Sequence, residues 1–478
     1  MATSPVGGAG LGGRITPRGK QSDVVYFDPG QDLVVLGTAG TGKTTMAVLR
    51  AKYLAHPMTP NHGPVLLVTY NNALVRYLRH LVPDALGDVA VETYAKFARG
   101  YLASIGKMPS GWGNILEGGR LRTTVARAVT SARLEFAHNA FFDRHTGFFV
   151  DELAWIADMG IEALDDYLKA DRVGRKTALM PGHRSAVWRI RSHYLQHRAA
   201  DGVPYDWHDL ASAVRVGLGN DLRPRKYRHI VIDEGQDLSP EAIRSLVAAV
   251  QPGGTVCFFG DYHQQIYGQG LSWRRCGLRV GSVDRFADNL RNTTQIARVA
   301  IAMSTMPHMA AAGVDDLVVP VEPAADGTIP TLLKCRDRAA EISEVQRVAV
   351  NQSAVGTVGV LARTLEDASR AVAGVPGIRR LKESPSEWWD PSPGIYYGTY
   401  HSAKGLEFDV VILPFADSDR LPNQEVVNTL GLTDASSRDG KSLYVAVTRA
   451  KAELLVTYTS ALSPLLPREP GLWAEVAQ

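Results

Sequence analysis

The stretch that decides the fold is Gly37-Thr38-Ala39-Gly40-Thr41-Gly42-Lys43-Thr44, a complete loop of the G-x-x-x-x-G-K-[ST] type. The apolar run 33–36 before it is typical of a buried strand. After it, Met46, Leu49 and Tyr53 are spaced like one face of a helix. Strand, glycine loop and helix form the context in which this motif binds phosphate groups. We therefore expect the chain to bind a nucleoside triphosphate.

The loop motif predicts which groups contact the nucleotide. Backbone N–H groups of the glycine loop surround the phosphates at the positive end of the following helix. The lysine lies on the phosphates, and the hydroxyl that follows it completes the Mg²⁺ shell. Lys43 is therefore predicted to be catalytic and Thr44 to be a metal ligand. The predicted nucleotide contacts are Gly37, Gly40, Gly42, Lys43, Thr44 and Thr45.

A second motif supplies acidic groups. The apolar run 229–232 ends in Asp233-Glu234-Gly235-Gln236-Asp237. A carboxylate at the end of a parallel strand beside the glycine loop is where the metal needs a ligand, so Asp233 is the predicted Mg²⁺ ligand. Glu234 is then the predicted general base for the attacking water. The alternative is an acidic turn that caps the next helix, which Ser239 can begin. Because capping does not require two adjacent carboxylates, we favour the catalytic interpretation.

The amino-acid composition is compatible with this interpretation, but it discriminates between classes of protein less sharply than the motifs do. The chain has 478 residues, 45% hydrophobic and 21% charged, as in an ordinary soluble protein of several domains. Its net charge of +3 is too small to indicate a nucleic-acid partner. Three scattered cysteines exclude a cysteine-rich metal module and suit a reducing cytoplasm. The sequence has no apolar stretch of membrane-spanning length, and its N-terminus lacks the apolar core of a secretory signal. We therefore expect a cytoplasmic protein with no membrane partner.

Apolar runs that alternate with helical segments predict mostly parallel sheets covered by helices. The predicted strands are 33–36, 65–68, 229–232, 256–259, 331–333, 358–361, 395–397, 410–413 and 454–458. Between about 97 and 205 the pattern is helical, which indicates an insertion in the first lobe. The predicted units are a disordered 1–14, a first lobe of 15–98 and 205–280, a helical insertion of 99–204 and a second lobe of 281–478.

The acidic motif resembles the D-E-x-Q-D of UvrD/Rep-like superfamily 1 helicases, and other blocks similar to that family follow in the expected order. The resemblance covers about residues 15–460. Its further blocks are Val68-Thr69-Tyr70-Asn71-Asn72, Gly260-Asp261-Tyr262-His263-Gln264-Gln265-Ile266-Tyr267-Gly268, Leu290-Arg291-Asn292-Thr293, Leu361-Ala362-Arg363-Thr364, Thr399-Tyr400-His401-Ser402-Ala403-Lys404-Gly405-Leu406-Glu407-Phe408 and Tyr444-Val445-Ala446-Val447-Thr448-Arg449-Ala450-Lys451.

The resemblance implies further residues of the ATP site. Arg291 and Arg449 are expected to neutralise charge on the γ-phosphate from the second lobe, and Gln264 to sense that phosphate. Glu407 is expected near the ribose. Gln21 is the best match to the family's adenine-reading glutamine. The predicted catalytic residues are thus Glu234, Lys43, Gln264, Arg291 and Arg449.

The resemblance also implies a track for single-stranded nucleic acid. Tyr70 and Tyr267 match positions whose rings stack on unpaired bases. Hydroxyl and basic groups at other motif positions are expected to hold the phosphate backbone. The predicted nucleic-acid-binding residues are Thr69, Tyr70, Asn72, Thr93, Tyr267, Arg363, Thr399 and His401. Ordinary packing at strand ends is the alternative for each of them.

Three features depart from the family. Leu290 replaces its adenine-stacking tyrosine, and Gln269 replaces the tryptophan that usually follows the Ile-Tyr-Gly block. Between Arg363 and Thr399, only a few tens of residues stand where full-length relatives carry a large helical accessory domain. A compact motor core is expected.

The sequence therefore predicts an α/β protein of two RecA-like parallel-sheet lobes, with a helical insertion in the first and no large accessory domain in the second. The expected function is an ATP- and Mg²⁺-dependent translocase or helicase that moves 3′→5′ on single-stranded DNA, and the sequence leaves RNA open as well. The alternative is an ATPase subunit that regulates a partner nuclease in a repair or phage-defence complex. A third hypothesis, a nucleotide-binding scaffold with little turnover, fits poorly with intact Lys43, Glu234 and Arg449.

Overall fold

The computed structural model describes most of the chain, in segments. They are residues 17, 19–38, 40–69, 89–108, 114–136, 139–172, 175, 177–261, 273–281, 283–286, 292–309, 323, 325–381 and 392–477. The strands are, in chain order, β1 (Leu33–Gly37), β2 (Val65–Thr69), β3 (Val89–Thr93), β4 (Ile115–Leu116), β5 (Tyr205–Asp206), β6 (Tyr227–Ile232), β7 (Val250–Gly260), β8 (Val283–Phe286), β9 (Thr331–Lys334), β10 (Thr357–Ala362), β11 (Arg379–Arg380), β12 (Gly394–Thr399), β13 (Phe408–Leu413), β14 (Ala450–Tyr458) and β15 (Ala474–Ala477).

Helices cover these strands. They are α1 (Lys20–Val25), α2 (Lys43–Ala55), α3 (Tyr94–Ser104), α4 (Gly118–Arg133), α5 (Thr146–Asp158), α6 (Leu164–Lys169), α7 (Pro181–Ala200), α8 (Leu210–Asn220), α9 (Pro240–Ala248), α10 (Thr294–Ser304), α11 (Arg338–Ser353), α12 (Leu365–Ala371), α13 (Gln424–Leu430) and α14 (Leu432–Val447). No helix among the described residues is long and apolar enough to cross a membrane.

The first sheet has the strand order β3-β2-β6-β7-β1-β8, and all its pairs are parallel. Its central strands are covered on both faces, which is why they are continuous apolar runs. Val34 and Leu36 pack with Phe258 on one face, while Val35 packs with Phe259 on the other. The glycine loop follows β1, and the acidic motif follows β6, at the same carboxyl edge of this sheet.

The second sheet has the order β11-β12-β10-β13-β14-β9-β15, again with parallel pairs. Every strand predicted in this half lies within an observed strand. Between Arg363 and Thr399, the described residues form only α12, β11 and most of β12, so 364–381 and 392–398 hold no large accessory domain. The predicted fold class, two parallel-sheet lobes with a helical insertion, is confirmed.

The helical insertion has its own apolar core beside the first sheet. Helices α4, α5 and α7 enclose Trp155 and Ile156, and β4 pairs with β5. The insertion is joined to the lobe through Arg215 of α8. That guanidinium pairs with Glu162 of the insertion at 2.6 Å and also with buried Glu241 of α9.

One predicted boundary is wrong. The first lobe was expected to end at residue 280, but β8 pairs with β1 along Val34–Gly37, so Val283–Phe286 belongs to the first sheet. This edge strand reads Val-Asp-Arg-Phe and lacks the apolar run that marks a central strand. The other predicted domain limits, and the disorder of 1–14, stay predictions.

Close packing between β10 and β13 gives a stability prediction. A Cβ at Gly359 would lie 2.7 Å from Cδ2 of the buried Phe408 ring. Gly359→Ala should therefore lower the free energy of unfolding by about 1–3 kcal/mol, measured by urea denaturation with circular dichroism. The matched control is Gly100→Ala in α3, where no atom lies within 4 Å of an added Cβ. Alanine should stabilise that helix by up to about 1 kcal/mol. Equal stability of Gly359→Ala and the wild type would contradict this packing.

Candidate nucleotide and nucleic-acid site

The glycine loop is shaped by backbone that other residues do not readily adopt. Gly40 and Gly42 have φ of 82° and 80°, in the left-handed region. At Gly37 an added Cβ would lie 2.6 Å from Thr41 Oγ1 and 3.1 Å from the carbonyl oxygen of Phe286. These three glycines therefore have conformational or steric reasons to occupy their predicted positions.

Lys43 begins α2 and turns its side chain back into the loop. Its Nζ donates hydrogen bonds to the carbonyl oxygens of Gly37, at 2.8 Å, and Thr38, at 2.6 Å. The ammonium also lies 3.9 Å from Asp261 Oδ2, at the end of β7. The structure thus fixes this buried cation at the carboxyl edge of β1.

Gln21 lies against the same loop. A Cβ placed at Gly42 would be 3.3 Å from Gln21 Nε2, so the carboxamide contacts the loop backbone. Residue Gln21 lies in α1, which precedes β1 in the chain. The structure therefore brings the predicted adenine-reading residue to the phosphate loop, although its role stays a prediction. Thr45 lies in the first turn of α2 and is half-buried.

Asp233 follows β6 and is buried, and its N–H donates to the carbonyl oxygen of Val68 at 2.8 Å. Burial and the adjacent charge of Glu234 raise its pKa, while a hydrogen bond with Thr44 and the charge of Lys43 oppose that rise. Its Oδ2 atom has no hydrogen-bond partner among the described residues. A buried carboxylate oxygen without a partner is costly, and a divalent cation would satisfy it.

The residues present therefore fit Mg²⁺. The Thr44 hydroxyl and the Asp233 carboxylate are within hydrogen-bond reach of each other, and both are oxygen ligands of the kind that this ion prefers. Among the described parts of the chain no cluster of three acidic, histidine or cysteine ligands occurs.

Glu234 is held in an uncommon backbone conformation. Its φ of 53° and ψ of 37° are left-handed, which costs a non-glycine residue roughly 1–2 kcal/mol. Gln236 Nε2 donates to Glu234 Oε2, and Gln236 Oε1 accepts from the N–H of Asp261 at 2.9 Å. Next to it, a Cβ at Gly235 would lie 2.3 Å from the Phe258 ring. The surrounding packing thus fixes this carboxylate at the sheet edge.

Cations from both lobes surround Glu234. Burial opposes its ionisation, but the positive charges of Lys404, Lys43 and Arg449 outweigh burial and lower its pKa. A carboxylate that is ionised at neutral pH is in the form that a general base requires.

Arg449 lies just beyond α14 and is fully buried. Its Nε donates to the carbonyl oxygen of Val445 at 2.9 Å, and its Nη2 to Thr448 Oγ1 at 3.1 Å. These bonds hold the guanidinium in one orientation. Arg449 thus belongs to the second lobe, and its positive charge contributes to lowering the pKa of Glu234 in the first.

Lys404 was missed as a functional residue. Its buried Nζ donates to Asp237 Oδ1 at 2.6 Å and lies 3.9 Å from Glu234 Oε2. Burial raises the pKa of Asp237 to about 6, although Lys404 opposes that rise. This contact joins the two lobes beside Glu234, the predicted general base. The signal was available, because Lys404 lies inside the block 399–408 and Asp237 ends the acidic motif.

Glu407 is half-buried immediately before β13. Its expected approach to the ribose stays a prediction.

On the first lobe, the hydroxyl residues predicted to bind single-stranded nucleic acid lie side by side. Thr69 and Thr93 are paired residues at the carboxyl ends of β2 and β3. Thr69 is buried, and its Oγ1 has no hydrogen-bond partner in the described segments. Thr93 has a structural role as well, because its Oγ1 accepts the N–H of Lys96 at 3.2 Å and caps α3.

On the second lobe, Arg363 follows β10, and Thr399 is the last residue of the paired strand β12. Arg363 Nε donates to buried Asp439 Oδ1 at 2.7 Å, so part of its charge is already neutralised. Thr399 Oγ1 accepts the N–H of Ser402 at 3.1 Å. Burial, helped by Lys404 and Arg363, lowers the pKa of His401 to about 4, so its imidazole is neutral at pH 7.

Five predicted site residues lie outside the described residues. They are Tyr70, Asn72, Gln264, Tyr267 and Arg291. Their assignments stay predictions. Asn292, next to Arg291, donates to the carbonyl oxygens of Thr448 and Ala450, on either side of Arg449.

Two family models match this chain. The model of an AAA domain matches residues 27–269, about half of the chain, and the UvrD-like helicase C-terminal domain matches residues 378–461. The first match covers the glycine loop and the acidic motif, and the second covers Thr399, Lys404 and Arg449. The two matched regions therefore meet at the site described above.

Curated relatives agree with the family models. YjcD of Bacillus subtilis, named as an ATP-dependent DNA helicase, is 21% identical over 248 residues, 49% of this chain and 30% of that protein. The mitochondrial ATP-dependent DNA helicase HMI1 of Saccharomyces cerevisiae is 26% identical over 203 residues, 38% of this chain and 28% of that protein. A DNA helicase II homologue of Rickettsia conorii is 38% identical over 63 residues, 13% of this chain and 10% of that protein.

The chain spans less than a third of the length of these relatives. The family models nevertheless match in the same order as the motifs, on both sides of one charged site. The chain therefore belongs to the UvrD-like superfamily 1 helicases.

Proposed function

We propose that this chain is an ATP-driven motor that moves along single-stranded DNA in the 3′→5′ direction. One observation carries the proposal: Lys404 of the second lobe lies 3.9 Å from Glu234 Oε2 of the first, and the charges of Lys404, Lys43 and Arg449 lower the pKa of this glutamate. A base held ionised between two lobes, beside a phosphate loop, is the arrangement that hydrolysis at a lobe interface requires.

In this proposal each group has one task. Glu234 takes the proton of the attacking water, and Lys43 holds the phosphates. Arg449, together with Arg291, neutralises charge that develops on the γ-phosphate. Thr44 and Asp233 hold Mg²⁺, which neutralises phosphate oxygens when bound. Gln21 reads the adenine, Glu407 approaches the ribose and Gln264 senses the γ-phosphate.

Movement along single-stranded DNA follows from the positions of two groups of predicted nucleic-acid-binding residues, one on each lobe. Thr69 and Thr93 lie at the carboxyl edge of the first sheet, and Arg363, Thr399 and His401 at that of the second. The ATP site also lies between the sheets. Closure of the lobes on ATP therefore brings the two groups of nucleic-acid-binding residues closer together, and hydrolysis lets them move apart. His401, neutral at pH 7, would hold a phosphate through a hydrogen bond rather than through charge.

The experiment that tests this function is ATP turnover with single-stranded DNA, single-stranded RNA, duplex DNA and no nucleic acid. Strong stimulation by single-stranded DNA alone is expected. Displacement of streptavidin from the 5′ end, but not from the 3′ end, of a biotinylated strand would demonstrate 3′→5′ movement. Because the described residues 364–381 and 392–398 hold no large accessory domain, unwinding of long duplexes should be weaker than translocation. Robust unwinding of a blunt duplex would contradict this picture.

The first prediction concerns the general base. Glu234→Gln should keep ATP binding and lose at least about a hundredfold in turnover, because a positioned base contributes roughly 10²–10⁴. Fluorescent-nucleotide titration and steady-state turnover measure the two effects. Lys43→Ala should weaken binding as well. Glu366→Gln, on an 80% exposed side chain, is the matched control and should change neither quantity. Wild-type turnover in Glu234→Gln would remove Glu234 from this role.

The second prediction concerns the cross-lobe arginine. Arg449→Ala should cut turnover with little change in ATP affinity, because the guanidinium acts mainly on transition-state charge. Arg291→Ala should behave in the same way. Arg336→Ala, on a 77% exposed side chain of the same lobe, is a control for loss of an arginine. An affinity loss with unchanged turnover at saturation would instead show a ground-state ligand.

The third prediction concerns the strand track. Thr69→Val removes a buried hydroxyl that has no partner in the described residues, so stability should not fall. A hydrogen bond to a charged phosphate contributes roughly 1.5–3 kcal/mol, so the Kd for single-stranded DNA should rise at least about tenfold. Fluorescence anisotropy measures this change, and basal ATP turnover should be spared. Tyr70→Ala and Tyr267→Ala should each weaken binding by roughly 1–3 kcal/mol. Unchanged binding with lower stability in Thr69→Val would show a purely structural role.

A further inference from the structure

The helical insertion of the first lobe also contacts the second lobe, away from Lys404. Thr177 lies between α6 and α7. Its N–H donates to Asp434 Oδ2 at 3.3 Å, and its hydroxyl lies 2.9 Å from the same oxygen and 3.2 Å from the carbonyl oxygen of Leu430. Both second-lobe partners lie in the α13–α14 segment. The contact therefore joins the insertion to the two helices that precede Arg449.

Charged and polar pairs extend this contact. Arg438 of α14 lies 3.6 Å from Asp151 of α5, and Asp151 is also paired with Arg175. Thr429 Oγ1 lies 3.2 Å from His145 Nδ1, at the start of α5. We call this set the latch. It consists of His145, Gly147, Asp151 and Thr177 on the insertion, and Thr429, Leu430, Asp434 and Arg438 on the second lobe.

The latch surfaces approach closely. A Cβ at Gly147 would lie 2.7 Å from Thr429 Cγ2 and 3.3 Å from its Oγ1, so a larger side chain there requires a shift. The pairs themselves are polar and partly accessible to solvent, with Arg438 and Asp151 exposed by 33% and 22%. Solvent-accessible polar pairs are individually weak, so such a contact can break and re-form.

Helix α14 connects the latch to both functional sites. Asp434 and Arg438 lie in its first half, and Asp439 next to them holds Arg363 of the predicted strand track. The helix ends at Val447, two residues before Arg449. Its 16 residues span about 24 Å at 1.5 Å per residue. A shift at the latch is therefore carried to the strand track and to the ATP site by one rigid element.

We propose that the latch is a conformational device that holds the helical insertion on the second lobe while the lobes are engaged at the ATP site, and that it must release before they separate. This proposal rests on the proposed function. Lys404 with Asp237 bridges the lobes at the catalytic edge, and the latch bridges them a second time through the insertion. Because one lobe is held at both places, opening requires both contacts to break. The insertion thereby limits opening in a chain whose described second lobe has no accessory domain.

A disulfide across the latch tests this proposal. Disulfides need Cβ atoms about 3.5–4.5 Å apart. An added Cβ at Gly147 would lie 2.7 Å from Thr429 Cγ2, which is one bond from Thr429 Cβ, so the two Cβ atoms would be at most about 4.2 Å apart. The double variant Gly147→Cys with Thr429→Cys would be made in the full chain. The three native cysteines are buried, so oxidation should join the introduced pair. The matched control is Gly147→Ser with Thr429→Ser, which has similar bulk and forms no bond.

The first measurement is ATP turnover on single-stranded DNA before and after oxidation. Oxidation should lower turnover at least about tenfold in the cysteine pair, reductant should restore it, and the serine pair should not respond. Unchanged turnover in the fully oxidised protein would overturn the proposal. If DNA failed to stimulate turnover in the wild type, in the reduced cysteine pair and in the serine pair, the result would instead count against the proposed function.

The second measurement judges the latch without turnover. The rate of disulfide formation, followed by non-reducing electrophoresis, should rise severalfold when a non-hydrolysable ATP analogue closes the lobes. Asp434→Ala added to the cysteine pair should lower that rate, because Thr177 loses its acceptor. Equal rates with and without bound analogue would show that the latch does not follow lobe closure, and would overturn the proposal whatever the turnover.

Discussion

The contact between Lys404 and the acidic motif is the interaction on which the rest of the site depends. A buried ammonium and buried carboxylates cannot stay charged alone, so each lobe needs the other to compensate its charge. Lys43 and Arg449 add to the same field, and together these charges lower the pKa of Glu234 although its burial raises it. In the proposed mechanism, the groups that keep the general base ionised therefore come from both lobes.

The parallel sheets explain why binding groups collect in the right place. In each sheet the loops that follow the strands emerge at the carboxyl edge, so residues far apart in sequence become neighbours. Thr69 and Thr93 meet in this way on the first sheet, and Arg363 and Thr399 on the second. The predicted nucleic-acid track and the candidate ATP site thus share the carboxyl edges of the sheets, and the proposed function uses this arrangement to couple hydrolysis to displacement.

The helical insertion gives the two lobes a second connection. It packs on the first lobe through Arg215, between Glu162 and Glu241, and it reaches the second lobe at Asp434 and Arg438. Helix α14 then passes beside Arg363 and ends near Arg449. In the proposed motor, the helical insertion of the first lobe thus controls the separation of the two lobes. It does so through weak polar pairs that break readily.

The sequence by itself determined the family, the two parallel sheets and the glycine-loop and acidic-motif positions, because central parallel strands are continuous apolar runs and phosphate loops demand glycines at fixed spacing. It did not determine β8, an edge strand with a polar interior, and so the lobe boundary at 280 was wrong. Nor did it assign Lys404 or the latch. Both depend on polar contacts between residues far apart in the chain, 167 positions for Asp237 with Lys404 and 257 for Thr177 with Asp434. Only the tertiary structure decides such pairs, because burial and distance give a charge its partner, and local sequence records neither.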